Sequence, residues 1–136
     1  MTLDDLQKHY LEDIKIDEAT IEKKVINIPI MISKYQNYYY KTLEKITTLY
    51  DLKEKTYHDI LIEYKSGQSD LSNYTFSSTE LKRMLESSLV YREIELKLHK
   101  AENELKLVEE YMKSIKDISW GIKSYIDYKK LQQGII

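Results

Sequence analysis

Apolar side chains recur along the second half of the chain at Tyr91, Ile94, Leu98, Ala101, Leu105, Val108, Met112, Ile115, Ile122 and Ile126, with Ser119 as the one polar member of the series. The intervals alternate between three and four residues without a slip. That alternation holds one stripe of a helix against a partner helix for about five heptads. A shorter series of the same period, Leu43, Ile46, Tyr50, Lys53, Tyr57, Ile60 and Tyr64, runs along the first half. Two matched stripes predict an all-α protein whose long helices pack through coiled-coil-like seams, within the chain or between chains.

The ends of these helices are marked by their capping chemistry. Asp17 followed by Glu18 offers an N-cap acceptor and an acid near the positive end of the helix dipole, so a helix is expected over about 17–65. Pro29 removes an amide donor and crowds the preceding turn, which predicts a kink or restart there. Ser66-Gly67 closes the helix, since glycine takes the left-handed C′ conformation without steric cost. Residues 66–77 are rich in turn formers and read as a loop, and Ser77 with Glu80 reads as the capping box of a second helix over about 79–132. Such a helix would be roughly 80 Å long. Gly121 costs ~1 kcal/mol relative to alanine in a helix interior, so a break or a close helix contact is expected near Ser119-Trp120-Gly121.

Composition narrows this picture. A chain of 136 residues with three glycines, one proline and no shift in composition reads as a single helical domain, 1–136. Paired helices of this length have little core for their surface, so association with copies of the same chain is expected. The absence of cysteine removes disulfides, thiolate nucleophiles and cysteine-based zinc sites together. The opening Met1-Thr2-Leu3-Asp4-Asp5 lacks the features of a signal peptide, and no run approaches ~18 apolar residues, so a cytoplasmic protein away from membranes is expected. The sequon Asn73-Tyr74-Thr75 then has no secretory context.

The net charge of −2 conceals an alternation. Residues 1–22 set two lysines against seven acids, and 23–65 set eight lysines against five acids. Residues 66–110 set six bases against nine acids, and 111–136 set five lysines against two acids. A fold that gathers the two basic blocks makes a positive surface despite the acidic total. Phosphate-binding glycine loops, nucleophile elbows and metalloprotease or calcium motifs are absent, and His9, His58 and His99 have no partner at ligand spacing. Neither a catalytic function nor a cofactor nor a metal is expected.

Thirteen tyrosines accompany a single phenylalanine. Tyr35, Tyr38, Tyr39 and Tyr40 lie between Lys34 and Lys41, and Tyr125 and Tyr128 lie among Lys123, Lys129 and Lys130. Aromatic rings interleaved with lysines suit single-stranded nucleic acid, whose bases stack while its phosphates meet the cations. The bland alternative is tyrosine as a core or interface residue with a wet end, and for Tyr50, Tyr57 and Tyr64 the seam favours it.

Several segments, in order, resemble the UvsY family of phage recombination mediator proteins. They are Leu3-Asp4-Asp5-Leu6-Gln7 with Asp17 following, Ile28-Pro29-Ile30-Met31-Ile32-Ser33-Lys34-Tyr35, Glu63-Tyr64-Lys65-Ser66-Gly67, and Ile122-Lys123-Ser124-Tyr125-Ile126-Asp127-Tyr128-Lys129 with Gly134. Tyr74 and Phe76 fit the loop between the long helices. The resemblance implies a ring-like homo-oligomer that binds single-stranded DNA, a RecA-like recombinase and a single-stranded-DNA-binding protein, and that helps load the recombinase in place of that protein. The family's helix before the Ser-Gly turn carries a basic pair implicated in DNA binding. The matching positions here hold Asp59 and Leu61, with Lys53, Lys55 and Lys65 as the nearby bases.

The residues expected to meet DNA are therefore Lys34, Tyr35, Lys53, Lys55, Lys65, Lys123, Lys129 and Lys130. Those expected at the oligomer interface are Ile94, Leu98, Leu105, Val108, Met112, Ile115, Ile122 and Ile126. The competing reading is a structural coiled-coil or scaffolding protein that binds no nucleic acid, and a phage-encoded protein would work in the host cytoplasm.

Overall fold

The computed structural model describes residues 2–66 and 77–134, apart from the side chains of Glu18, Lys65 and Ser66. The expected turn at Gly67, the sequon and the loop tyrosine and phenylalanine, Tyr74 and Phe76, lie outside the described residues. Four α-helices make up the described chain: α1 (Leu3–Asp13), α2 (Ile21–Ser66), α3 (Ser78–Ser87) and α4 (Leu89–Gln132). A 3₁₀ turn, Glu18–Thr20, leads into α2. Among the described residues there is no strand, and no helix is long and apolar enough to cross a membrane.

Each helix start has a local cause. Helix α1, not anticipated from the pattern of the long seams, opens on a reciprocal capping box. The Asp5 amide donates to Thr2 Oγ1 at 3.2 Å and the Thr2 amide donates to Asp5 Oδ2 at 3.1 Å. Those contacts, the Thr2 backbone N–H first, hold the Asp5 carboxyl below the usual carboxylate range. Asp17 accepts from the Ala19 amide at 3.2 Å and so starts the 3₁₀ turn. Ser77 accepts from the Glu80 amide at 3.2 Å and caps α3. At Ser88 the backbone turns extended (ψ 113°), and its side chain caps α4 by accepting from the Tyr91 amide at 3.2 Å.

Neither long helix restarts at its expected interruption. Helix α2 continues through Pro29, which sits on an exposed side with Ile26 and Ile30, where solvent can satisfy a carbonyl deprived of its amide partner. Helix α4 runs through Gly121, and a Cβ placed there would meet nothing within 4 Å, so no close helix contact requires the glycine.

The chain forms two compact units. The first comprises 1–41 and 104–136. Its centre is Leu6, Tyr35, Val108 and Ile115, ringed by Leu3, Tyr10, Ile32, Tyr38, Tyr39, Tyr111 and Met112. A second cluster joins Ile28 and Met31 of α2 to Ile122 of α4, with Ile21, Ile32, Ile118 and Ile126 around it. The second unit, 42–103, buries Ile46 and Leu49 of α2, Met84 of α3, and Tyr91, Ile94, Leu98 and Ala101 of α4.

The α4 stripe is thus buried in the register that its spacing implies. The stripe on α2 is displaced. Thr42 and Leu49 are buried beside Ile46, whereas Tyr50 and Tyr64 are exposed. The Tyr50 hydroxyl donates to Glu102 at 2.9 Å, because a ring with a polar tip is better placed at the edge of a stripe than in its centre.

Leu6 is fully buried and is the anchor of α1. Leu6→Ala is expected to cost about 2–5 kcal/mol, read as a lower urea midpoint, with the α1 amides losing hydrogen-exchange protection first. Wild-type protection in α1 of that variant would show that the helix does not depend on this side chain.

Candidate nucleic-acid interface

The residues nominated by sequence fall into three different settings. Lys34 and Tyr35 are engaged in holding α1. Lys34 Nζ lies 2.6 Å from Asp13 Oδ2, and the Tyr35 hydroxyl donates to the same oxygen at 2.8 Å. The Tyr35 ring is fully buried and meets Tyr10 and Tyr111 edge-on, at 6.5 and 6.2 Å, while those two rings stack on each other at 3.9 Å. Burial, and then the bond to Asp13, push the Tyr35 hydroxyl far above its ordinary pKa, so it stays a donor. Lys24 adds a second cation at the same end of α1, donating to the Glu12 carbonyl at 3.1 Å. The last turn of α1 has no basic residue of its own, and these two α2 lysines complement its negative end.

Lys53 and Lys55 lie in the second unit. Lys53 sits 3.9 Å from Glu95 and 5.6 Å from the centroid of the Tyr91 ring, whereas Lys55 is exposed. The side chain of Lys65 lies outside the described residues.

The C-terminal lysines are in the first unit, on the outer surface of α4. Lys123 is exposed, with its ammonium 5.4 Å from the centroid of Trp120, itself 68% exposed. Lys129 lies 5.6 Å from the Tyr125 ring, Lys130 is exposed, and the exposed Tyr128 accepts from Gln132 at 2.9 Å. The Lys123 ammonium is near enough to the Trp120 ring for a modest attraction that leaves both open to a ligand.

Sequence reasoning missed a further feature of this unit. Gln36, Tyr39 and Tyr40 of α2 and Glu109, Met112, Lys113 and Lys116 of α4 line an open groove of about 300 Å³. Tyr39 and Tyr40 meet edge-on at 5.6 Å, and Tyr40 is 61% exposed. The available signal was the interval of seven residues between Lys116, Lys123 and Lys130, which puts all three near one helix face.

The nominated interface residues Ile94, Leu98, Val108, Ile115 and Ile122 are buried within their own chain. Leu105, Met112 and Ile126 are only half-buried. Among the described residues no group of three His, Cys, Asp or Glu side chains is placed to hold a metal ion.

An all-helical chain, paired along apolar seams and carrying lysines beside exposed rings, has the form of a helical binding protein. The chain belongs to the UvsY family, described as recombination, repair and single-stranded-DNA-binding protein UvsY, whose model matches residues 9–135. Crystal structures of the bacteriophage T4 recombination mediator protein UvsY share the fold. One lattice form superposes with a TM-score of 0.80 at 20% identity, over 97% of this chain and 99% of that one. Another does so with a TM-score of 0.78 at 20% identity, over 98% of each. A comparison with curated protein sequences finds no match.

Asp13 serves two donors, so its removal is expected to be costly. Asp13→Ala leaves the buried Tyr35 hydroxyl without its acceptor and should lower stability by about 1–3 kcal/mol. Asp13→Asn, which keeps one oxygen, should be less destabilising, and the ranking is read from urea midpoints. Equal midpoints for wild type and Asp13→Ala would remove the cluster as a determinant of the fold.

Proposed function

We infer that this chain is a recombination mediator that binds single-stranded DNA, and the observation that carries this reading is the family match across residues 9–135. The geometry supports it through Lys123 beside the exposed Trp120 ring, with Lys129 and Lys130 beyond. A single strand presents unstacked base faces and phosphates together, whereas a duplex hides its base faces. The protein acts by binding and positioning, not by catalysis, and it works in the host cytoplasm if phage-encoded.

Its further partners in this reading are a RecA-like recombinase and a single-stranded-DNA-binding protein, the second giving way to the first on the strand. A ring-like homo-oligomer belongs to the same proposal. Because most of the α4 seam is covered within the chain and Met112 lies on the groove beside Tyr40, the contact between copies falls to its half-buried members Leu105 and Ile126. Repetition of a small basic surface around such an assembly would add many weak phosphate contacts into firm binding along a strand.

The test is anisotropy of labelled single- and double-stranded oligonucleotides over a salt series. Single strands are expected to bind more tightly at every salt concentration. Lys123→Ala with Lys130→Ala should reduce the slope of log affinity against log salt by about 0.7 for each phosphate no longer neutralised. Lys8→Ala with Lys15→Ala, both exposed in the acidic N-terminal block, should leave it nearly unchanged. Equal affinity for duplex, or no binding to single strands, would overturn the reading in favour of an assembly protein.

A further inference from the structure

Trp120 is the only tryptophan in the chain, and its indole is 68% exposed. Lys116, Trp120 and Lys123 stand at i, i+4 and i+7 on α4, so they share one outer face, with about 6 Å of helix between the first two and about 5 Å between the last two. Lys113 lies one turn before Lys116, and both line the groove that also contains Tyr40. None of these three lysines makes an ion pair among the described residues. Glu109 lines the same groove, Asp127 falls between Lys123 and Lys130, and the exposed Asp117, four residues after Lys113, flanks the patch on one side. Among these carboxylates lie two broad, exposed rings with cations beside them.

We propose that this face, from Lys113 to Lys123 of α4 with Tyr40 of α2, is a stacking site for single-stranded nucleic acid. Bases lie on Trp120 and Tyr40, and the connecting phosphates meet Lys113, Lys116 and Lys123. The inference rests on the single-stranded-DNA reading and locates it largely on residues not nominated by sequence. The pairing of ring faces with cations selects the ligand: an acidic peptide satisfies the lysines but has no base to lay on the indole, and a duplex satisfies the phosphate positions but conceals its bases.

The single tryptophan makes the proposal directly testable in the full-length protein. Binding is followed in two ways, by anisotropy of a labelled oligothymidylate and by Trp120 emission with the unlabelled strand. Emission is expected to be quenched in step with the anisotropy rise. Trp120→Ala should weaken binding by between about 5-fold and about 150-fold, with Trp120→Phe recovering part of the affinity. Tyr40→Ser should act in the same direction, and Lys113→Ala with Lys116→Ala should flatten the salt slope by about 0.7 for each phosphate no longer neutralised. These side chains are exposed or line an open groove, and circular dichroism of each variant checks the fold. If anisotropy rises while emission stays constant and Trp120→Ala binds like wild type, the site is wrong although the protein still binds DNA. Quenching by polyglutamate equal to that by oligothymidylate would make the face a general polyanion surface and overturn base stacking. If no single strand raises the anisotropy, the functional reading fails and the site fails with it.

Discussion

Covering one apolar stripe of α4 is the constraint on which the rest of the structure depends. A helix of 44 residues has far more surface than its own turns can bury, and its stability comes from what packs against the stripe. In the first unit α1 and the early part of α2 supply that cover, and Val108, Ile115 and Ile122 are removed from water almost completely. In the second unit the later part of α2 and α3 supply the buried partners Ile46, Leu49 and Met84. Because the apolar intervals keep to three and four residues, the opposite face of α4 is set by the same register. What the stripe does not use is left to solvent, and on the first unit it includes several lysines and one large ring.

Much of this order is written locally, and the parts that are not have identifiable physical reasons. The α4 stripe is legible because ten apolar positions agree on one period. The register of α2 is harder to read, since tyrosine counts as apolar by pattern yet sits at an edge when its hydroxyl finds a carboxylate, as Tyr50 does with Glu102. Helix α1 has 11 residues and a polar average, so its periodic signal is short, although Thr2 with Asp5 and the spacing of Leu3, Leu6 and Tyr10 are consistent with it. The break at Ser88 is a serine cap inside a stretch of good helix formers, and such a cap is visible only once the backbone departs from the helix.

The DNA-facing candidates divide along the same line. Lys34 and Tyr35 look in sequence like an exposed cation and ring, but their partner Asp13 lies 21 and 22 residues away, and no local pattern reveals that pairing. Lys123 and Lys130 follow from the helix period alone, and both are exposed. Trp120 obeys the same rule, because it falls outside the apolar stripe and within one turn of Lys123. Its neighbour Gly121 masks that signal, since a glycine within a helix raises the question of backbone continuity ahead of the question of surface chemistry.

Charge then explains why an acidic protein can present a basic surface. In the first basic block, Lys24 and Lys34 are taken up by the carbonyl and carboxylate at the end of α1, and Lys53 lies beside Glu95. The acidic N-terminal block therefore complements α2 within its own unit and does not compete for the lysines of α4. Lys113, Lys116 and Lys123 of the second basic block remain without such partners among the described residues. A net charge of −2 is thus compatible with phosphate binding, because short-range pairing engages Lys34 and Lys53 of the first block within the fold and leaves Lys113, Lys116 and Lys123 of the second block at the surface. Screening strengthens the separation: at physiological salt a phosphate responds to charges within about 8 Å, so the lysines beside it outweigh the acids elsewhere on the chain.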